Sequence, residues 1–134
     1  MPPKKLITLI EDDLNIGYLL KFMLQREGYE VLHLLDGSTA KDFFIKNNAC
    51  DLIILELMLP YVDGFELLQI IRATPEFMKK PVIVLSAKEQ EADVIRAFRL
   101  GCDDYVKKPF SPGELIARVN RLMAKLNSSA ISSS

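Results

Sequence analysis

Apolar positions along the chain alternate between short unbroken runs and longer stretches that recur every third or fourth residue. The first run, Leu6-Ile-Thr-Leu-Ile10, stops at Glu11-Asp-Asp13. Ile16, Leu19, Leu20, Met23 and Leu24 then repeat at helical spacing, and Gly28 ends the segment. Val31 to Leu35 predicts a second, weaker strand, and Asp36-Gly-Ser38 predicts the cap of a helix carrying Ala40, Phe43 and Phe44. Asp51 leads into Leu52-Ile-Ile-Leu55, apolar at every position, as a central parallel strand covered on both faces requires. Pro60 and Asp63-Gly64 interrupt the chain before Phe65, Leu68 and Ile71 resume helical spacing.

Pro81 opens another solid run, Val82-Ile-Val-Leu85, followed by a helix with Val94, Ile95 and Phe98 that stops at Gly101. A short strand around Tyr105-Val106 precedes Lys107-Lys-Pro-Phe110. Ser111, Pro112 and Glu114 read as a capping box opening a last helix, whose apolar face is Leu115, Ile116, Val119, Leu122, Met123 and Leu126. Residues 127–134 are polar and short, and are expected as a flexible tail or the first residues of a linker after one domain over 4–126. Five strands alternating with five helices predict an α/β fold, a parallel sheet with helices on both faces.

Composition narrows this little further. The 134 residues suit one domain, 49% are hydrophobic, and the formal net charge is −1 with the basic residues scattered. That balance carries no electrostatic footprint for nucleic acid or a membrane surface. Cys50 and Cys102 lack metal-type spacing and read as small buried thiols. The Met1-Pro-Pro-Lys-Lys start leads into only a short apolar run without a cleavage site, so a cytoplasmic location is expected.

In such a sheet, function is expected at the carboxyl ends of the strands. The first strand delivers Glu11, Asp12 and Asp13, the third Glu56, the fourth Ser86 and the fifth Lys108. Clustered carboxylates repel unless a cation joins them, and a hard ion such as Mg²⁺ is the natural partner. Ser86 can hydrogen-bond a phosphoryl oxygen and Lys108 can neutralise one, so the set fits Mg²⁺-assisted phosphoryl transfer. Taken singly each residue has a plainer reading: Asp13 as a helix cap, Ser86 as a turn residue, Lys108 as a solvated charge. Their convergence favours the pocket. The lone His33, near the end of the second strand, is expected to lie away from this edge.

These residues resemble the response-regulator receiver domains of two-component signalling. The matching stretches are Leu9-Ile-Glu-Asp-Asp13, Asp51-Leu-Ile-Ile-Leu-Glu-Leu-Met-Leu-Pro60, Asp63-Gly64, Leu85-Ser-Ala87 and Gly101-Cys-Asp-Asp-Tyr-Val-Lys-Lys-Pro-Phe110, within residues 4–126. The resemblance implies a flavodoxin-like doubly wound sheet of strand order 2-1-3-4-5. It implies Mg²⁺ held by Glu11 and Asp12, with Asp12 the direct ligand and Glu56 and the Met58 carbonyl completing the set. It assigns the phosphoacceptor position to residue 56, the phosphoryl-sensing hydroxyl and lysine to Ser86 and Lys108, a switch role to Ser86 and Tyr105, and a cis bond before Pro109. Its implied phosphodonor is a sensor histidine kinase.

The later helices most resemble receivers of winged-helix transcription factors. Those dimerise through the fourth helix, fifth strand and fifth helix by charge pairs, a pattern that Asp104, Glu114 and Arg118 fit. A DNA-binding output domain would then follow this segment, which itself is expected to bind neither nucleic acid nor membrane.

Position 56 departs from the family, which has Asp there. The extra methylene advances the carboxylate by about 1.5 Å, a shift large enough to impair a positioned reaction. Phosphorylation is therefore expected to be altered or absent. Glu56 reaches Lys108 or Ser86 and partly imitates the phosphorylated state, or it is a dead acceptor in a non-phosphorylatable interaction module. Two other classes of similar topology fit poorly. A flavin carrier needs a Ser-, Thr- and Gly-rich turn where Glu11-Asp-Asp13 stands, and a hydrolase nucleophile needs an Asp-x-Asp motif absent after the first and third strands.

Overall fold

The computed structural model describes residues 3–46 and 48–132, with side chains through Asn127. Five strands alternate with five helices along these residues: β1 (Leu6–Ile10), α1 (Leu14–Arg26), β2 (Glu30–Leu34), α2 (Gly37–Ile45), β3 (Leu52–Leu55), α3 (Gly64–Ala73), β4 (Val82–Ser86), α4 (Glu91–Arg99), β5 (Asp104–Lys107) and α5 (Pro112–Ser132). All strand pairs are parallel, in the order β2-β1-β3-β4-β5. The alternation predicts the parallel sheet with helices on both faces, and the resemblance its doubly wound strand order.

The solid apolar runs become the strands covered on both faces. Every residue of β3 and β4 is buried, whereas the edge strands β2 and β5 are only partly so. Side chains alternate across the sheet and divide the core in two. Ile10, Ile53, Leu55, Val82 and Val84 face one layer with α2 and α3. Leu9, Leu52, Ile54, Ile83 and Leu85 face the other with α1 and α5. Each such side chain contributes about 1.5–3 kcal/mol on burial. An aromatic trio, Phe43, Phe44 and Phe77, closes the first layer with ring centroids 5.0–6.1 Å apart.

Asp13, Asp36 and Asp63 start α1, α2 and α3 by the same device: each carboxylate accepts the backbone N–H three residues on, from Ile16, Thr39 and Glu66. Gly28 and Gly101 take φ of +96° and +107° just after α1 and α4, a conformation that ends a helix at low cost only for glycine. At the amino edge of the sheet, Asp51 accepts from Leu6 N at 2.7 Å and Asp103 from Val82 N at 2.8 Å. Arg72 joins α3 to the turn before β5, donating to Gly101 O, Lys80 O and Asp103.

Three expectations need correction. Leu19 is 46% exposed; the inward face of α1 runs through Gly17, Leu20 and Leu24, so Leu19 belongs to the outer face beside Tyr18 and Phe22. α5 continues as helix to Ser132 rather than giving way near Asn127; Ser133 and Ser134, the end of the expected tail, lie outside the described residues. The Glu114 carboxylate bonds Arg118 instead of completing a capping box with Ser111.

Candidate functional site

Strand order reverses between β1 and β3, so the loops after these strands diverge and leave a crevice at their carboxyl ends. Register places the crevice residues together. Ile10 pairs with Leu55, Leu55 with Val84, and Ser86 with Lys107. Glu11, Glu56, Ser86 and Lys108 therefore emerge side by side, although the first two are 45 positions apart in the chain.

Glu56 is 3% exposed and held at both oxygens. Oε2 accepts the N–H groups of Leu57 at 2.6 Å and Met58 at 3.2 Å, and Oε1 accepts from Lys108 Nζ at 2.8 Å. Glu11 is 1% exposed. Its Oε2 accepts from Asp13 N, and its Oε1 lies 2.5 Å from the same Nζ. That second contact falls outside hydrogen-bond angles, so Oε1 has charge compensation without a directed bond. Lys108 thus bridges two buried carboxylates.

The electrostatics follow from this sharing. Burial pulls the Lys108 ammonium down, but Glu11 and Glu56 more than reverse it and hold it above the ordinary lysine value. Burial raises the Glu11 carboxyl, with Lys108 and the Asp13 N–H opposing and Glu56 adding. Two carboxylates share one ammonium.

Ser86 is fully buried; its Oγ accepts from Lys88 N at 3.3 Å and its backbone O from Lys108 N at 2.9 Å. Tyr105 donates its hydroxyl to Lys88 O at 2.7 Å, which ties β5 to the loop after β4. The Lys108–Pro109 bond is cis, as expected.

Other expected residues are placed differently. Asp12 is exposed and none of the described hydrogen bonds or ion pairs uses its side chain. Met58 enters the site through its N–H to Glu56. Among the described residues no group of three or more acidic, His or Cys side chains is arranged to hold a metal ion. A divalent ion needs free oxygens, but one oxygen of each buried glutamate is committed to backbone N–H and the other faces Nζ. The residues as arranged do not fit Mg²⁺. Asp104, Glu114 and Arg118 do come together, but within one chain: Arg118 binds Asp104 through Nη1 at 3.0 and 2.8 Å and Glu114 through Nη2 at 2.7 Å.

His33 corrects the sequence reading. Its Nε2 is 2.7 Å from the backbone O of Glu11, and since a carbonyl only accepts, Nε2 carries the proton. The ring fills the space beside Gly17, where a Cβ would collide with it. A lone histidine on an edge strand gives no sign of this, because the contact depends on how α1 leans on β2. Gly64 is similar: a Cβ there would strike the Glu56 carbonyl and Leu57, so glycine lets α3 start directly against the acceptor-position loop.

Residues 7–120 match the family described as response regulator receiver domain. The chain belongs to that family. This receiver is 45% identical over 113 residues to the regulatory protein VanRc of Enterococcus gallinarum, covering 84% of this chain and 47% of that protein. Other curated relatives are described as transcriptional regulatory proteins, in line with the resemblance to transcription-factor receivers. The receiver spans about half the length of the curated relatives it matches. The Francisella response regulator 1452 receiver domain superposes with a TM-score of 0.84 at 35% identity, covering 92% of this chain and 99% of that one. The receiver domain of the Pseudomonas aeruginosa sensor histidine kinase PA1611, solved with magnesium in its active-site cleft, has a TM-score of 0.82 at 29% identity, covering 91% and 99%. The chain is therefore a receiver domain of two-component signalling, and among its described residues no helix is long and apolar enough to cross a membrane.

Proposed function

We propose that this receiver does not take up a phosphoryl group and acts as an interaction module held in one conformation by Glu56. The observation that carries the reading is the engagement of Glu56: Oε1 on Lys108 Nζ, Oε2 on the N–H groups of Leu57 and Met58. A nucleophilic carboxylate needs an oxygen free to approach phosphorus in line. Glu56 offers none, and its extra methylene carries Oε1 into the place where a phosphoryl oxygen would meet the lysine.

Glu56 supplies one negative charge against the roughly −1.5 to −2 of a phosphorylated side chain. It satisfies Lys108, while Ser86 keeps its hydroxyl on the loop after β4. Tyr105 holds the same loop through Lys88. The arrangement is a standing contact rather than one made and broken by phosphate, and no catalytic turnover is required of Glu56, Ser86 or Lys108.

The partners follow the same logic. A sensor histidine kinase is a docking partner rather than an effective donor, and an output segment that binds DNA belongs to the longer protein, in the cytoplasm. A homodimer through α4, β5 and α5 is open to this receiver only if Arg118 exchanges its intrachain partners, Asp104 and Glu114, for those of a second copy.

Incubation with a small-molecule phosphodonor and Mg²⁺, followed by intact-mass measurement, tests the proposal. No addition is expected on the chain as it stands, and one phosphoryl group is expected on the Glu56→Asp variant. A stable phosphoryl group mapped to residue 56 of the unaltered chain would sink it.

A further inference from the structure

We propose that the Lys108 ammonium is the resident cation of this pocket, so that the receiver does not bind a divalent ion and gains such a site only when Nζ is withdrawn. The inference shares the Glu56–Lys108 contact with the proposed function, but it concerns metal rather than phosphoryl transfer.

Two carboxylates buried to within 3% of complete need a compensating charge. Nζ supplies it at 2.5 Å from Glu11 and 2.8 Å from Glu56. It is held there from the backbone as well: Lys108 N donates to Ser86 O at 2.9 Å, which fixes the root of the side chain beside β4. Both carboxylates are likewise fixed, because the second oxygen of each accepts from backbone N–H. Neither carboxylate can swing aside without losing such a bond, and Nζ cannot leave without giving up both carboxylates.

A divalent ion entering between the carboxylates would stand against an ammonium in a site of low solvent access, where like charges repel strongly. It would also have to assemble about six oxygen ligands, and one oxygen of each buried glutamate is already committed to backbone N–H while the other faces Nζ. The length of Glu56 decides the outcome, since a side chain one methylene shorter draws its oxygen back from Nζ by about 1.5 Å. The cation that a receiver pocket would take from solution is here supplied by the chain.

The test uses Mg²⁺ alone, without phosphodonor, titrated calorimetrically into the unaltered chain, Lys108→Met and Glu56→Asp. The unaltered chain is expected to show no saturable uptake in the low-millimolar range. Each folded variant is expected to bind at least about tenfold more tightly. Glu56→Asp keeps the charge balance and serves if Lys108→Met does not fold. Saturation of the unaltered chain at submillimolar Mg²⁺ overturns the proposal, and so does a folded Glu56→Asp variant with no gain in affinity. Saturable Mg²⁺ uptake by an unaltered chain that still takes no phosphoryl group would strike this inference and leave the proposed function standing, so the two readings are distinguishable.

Discussion

Lys108 Nζ lies 2.8 Å from Glu56 Oε1, and the two side chains are 14% and 4% exposed. Breaking a buried pair costs more than the pair contributes, because the surviving charge is left without compensation. Lys108→Met leaves two buried carboxylates facing each other and is expected to lose about 3 kcal/mol in urea unfolding. Adding Glu56→Gln should recover much of that loss. A single variant as stable as the parent would show that the contact is not formed in solution.

The same pair gives the stability a dependence on alkaline pH. Lys108 is raised above the free-lysine value of 10.5 by its carboxylate partners, against the opposing effect of burial. A group raised on folding contributes fully below its unfolded value and loses that contribution as pH passes its folded value. The difference in melting temperature between the parent and Lys108→Met should hold steady from neutrality toward 10.5 and shrink above it. A gap that widens with alkalinity would reverse the assigned sign.

Gly17 and His33 should be coupled. The Gly17→Ala methyl would meet the imidazole ring, which must leave Glu11 O or push α1 outward. Overpacking of this kind costs about 1–3 kcal/mol. Introducing His33→Ala removes the obstacle, so the double variant should be markedly less destabilised than the sum of the singles. Strict additivity would mean that the ring is not where α1 needs space.

Both thiols should be inert in the folded chain. Burial pushes Cys102 up to about 12, with Asp103 and Asp104 adding to it, and burial likewise raises Cys50. The thiolate is the reactive form. Iodoacetamide at mildly alkaline pH is therefore expected to label neither residue until denaturant is present, as followed by intact mass. Native-state labelling of either at the rate of a free thiol would contradict the burial.

The fold was legible because its elements announce themselves locally. Leu52–Leu55 and Val82–Leu85 are apolar at every position, which only a strand covered on both faces tolerates, and Asp13, Asp36 and Asp63 cap the helices from positions adjacent in the chain. The composition of the site was legible too, because polar residues ending consecutive parallel strands must share one edge.

The wiring of the site was not. Lys108 and Glu56 are 52 positions apart, so their contact depends on strand register and on side-chain length working together. Asp12 and Glu11 are neighbours in the chain, yet past the end of β1 Glu11 is buried and Asp12, at the bend that follows, is exposed. His33 meets Glu11 through its carbonyl, an acceptor that every residue type carries and no sequence pattern marks. Glu56 itself stood out in the sequence as an acid of the wrong length. Only the tertiary structure decided what that length does, because burial, register and the fixed root of Lys108 together turn a carboxylate into half of an internal ion bridge.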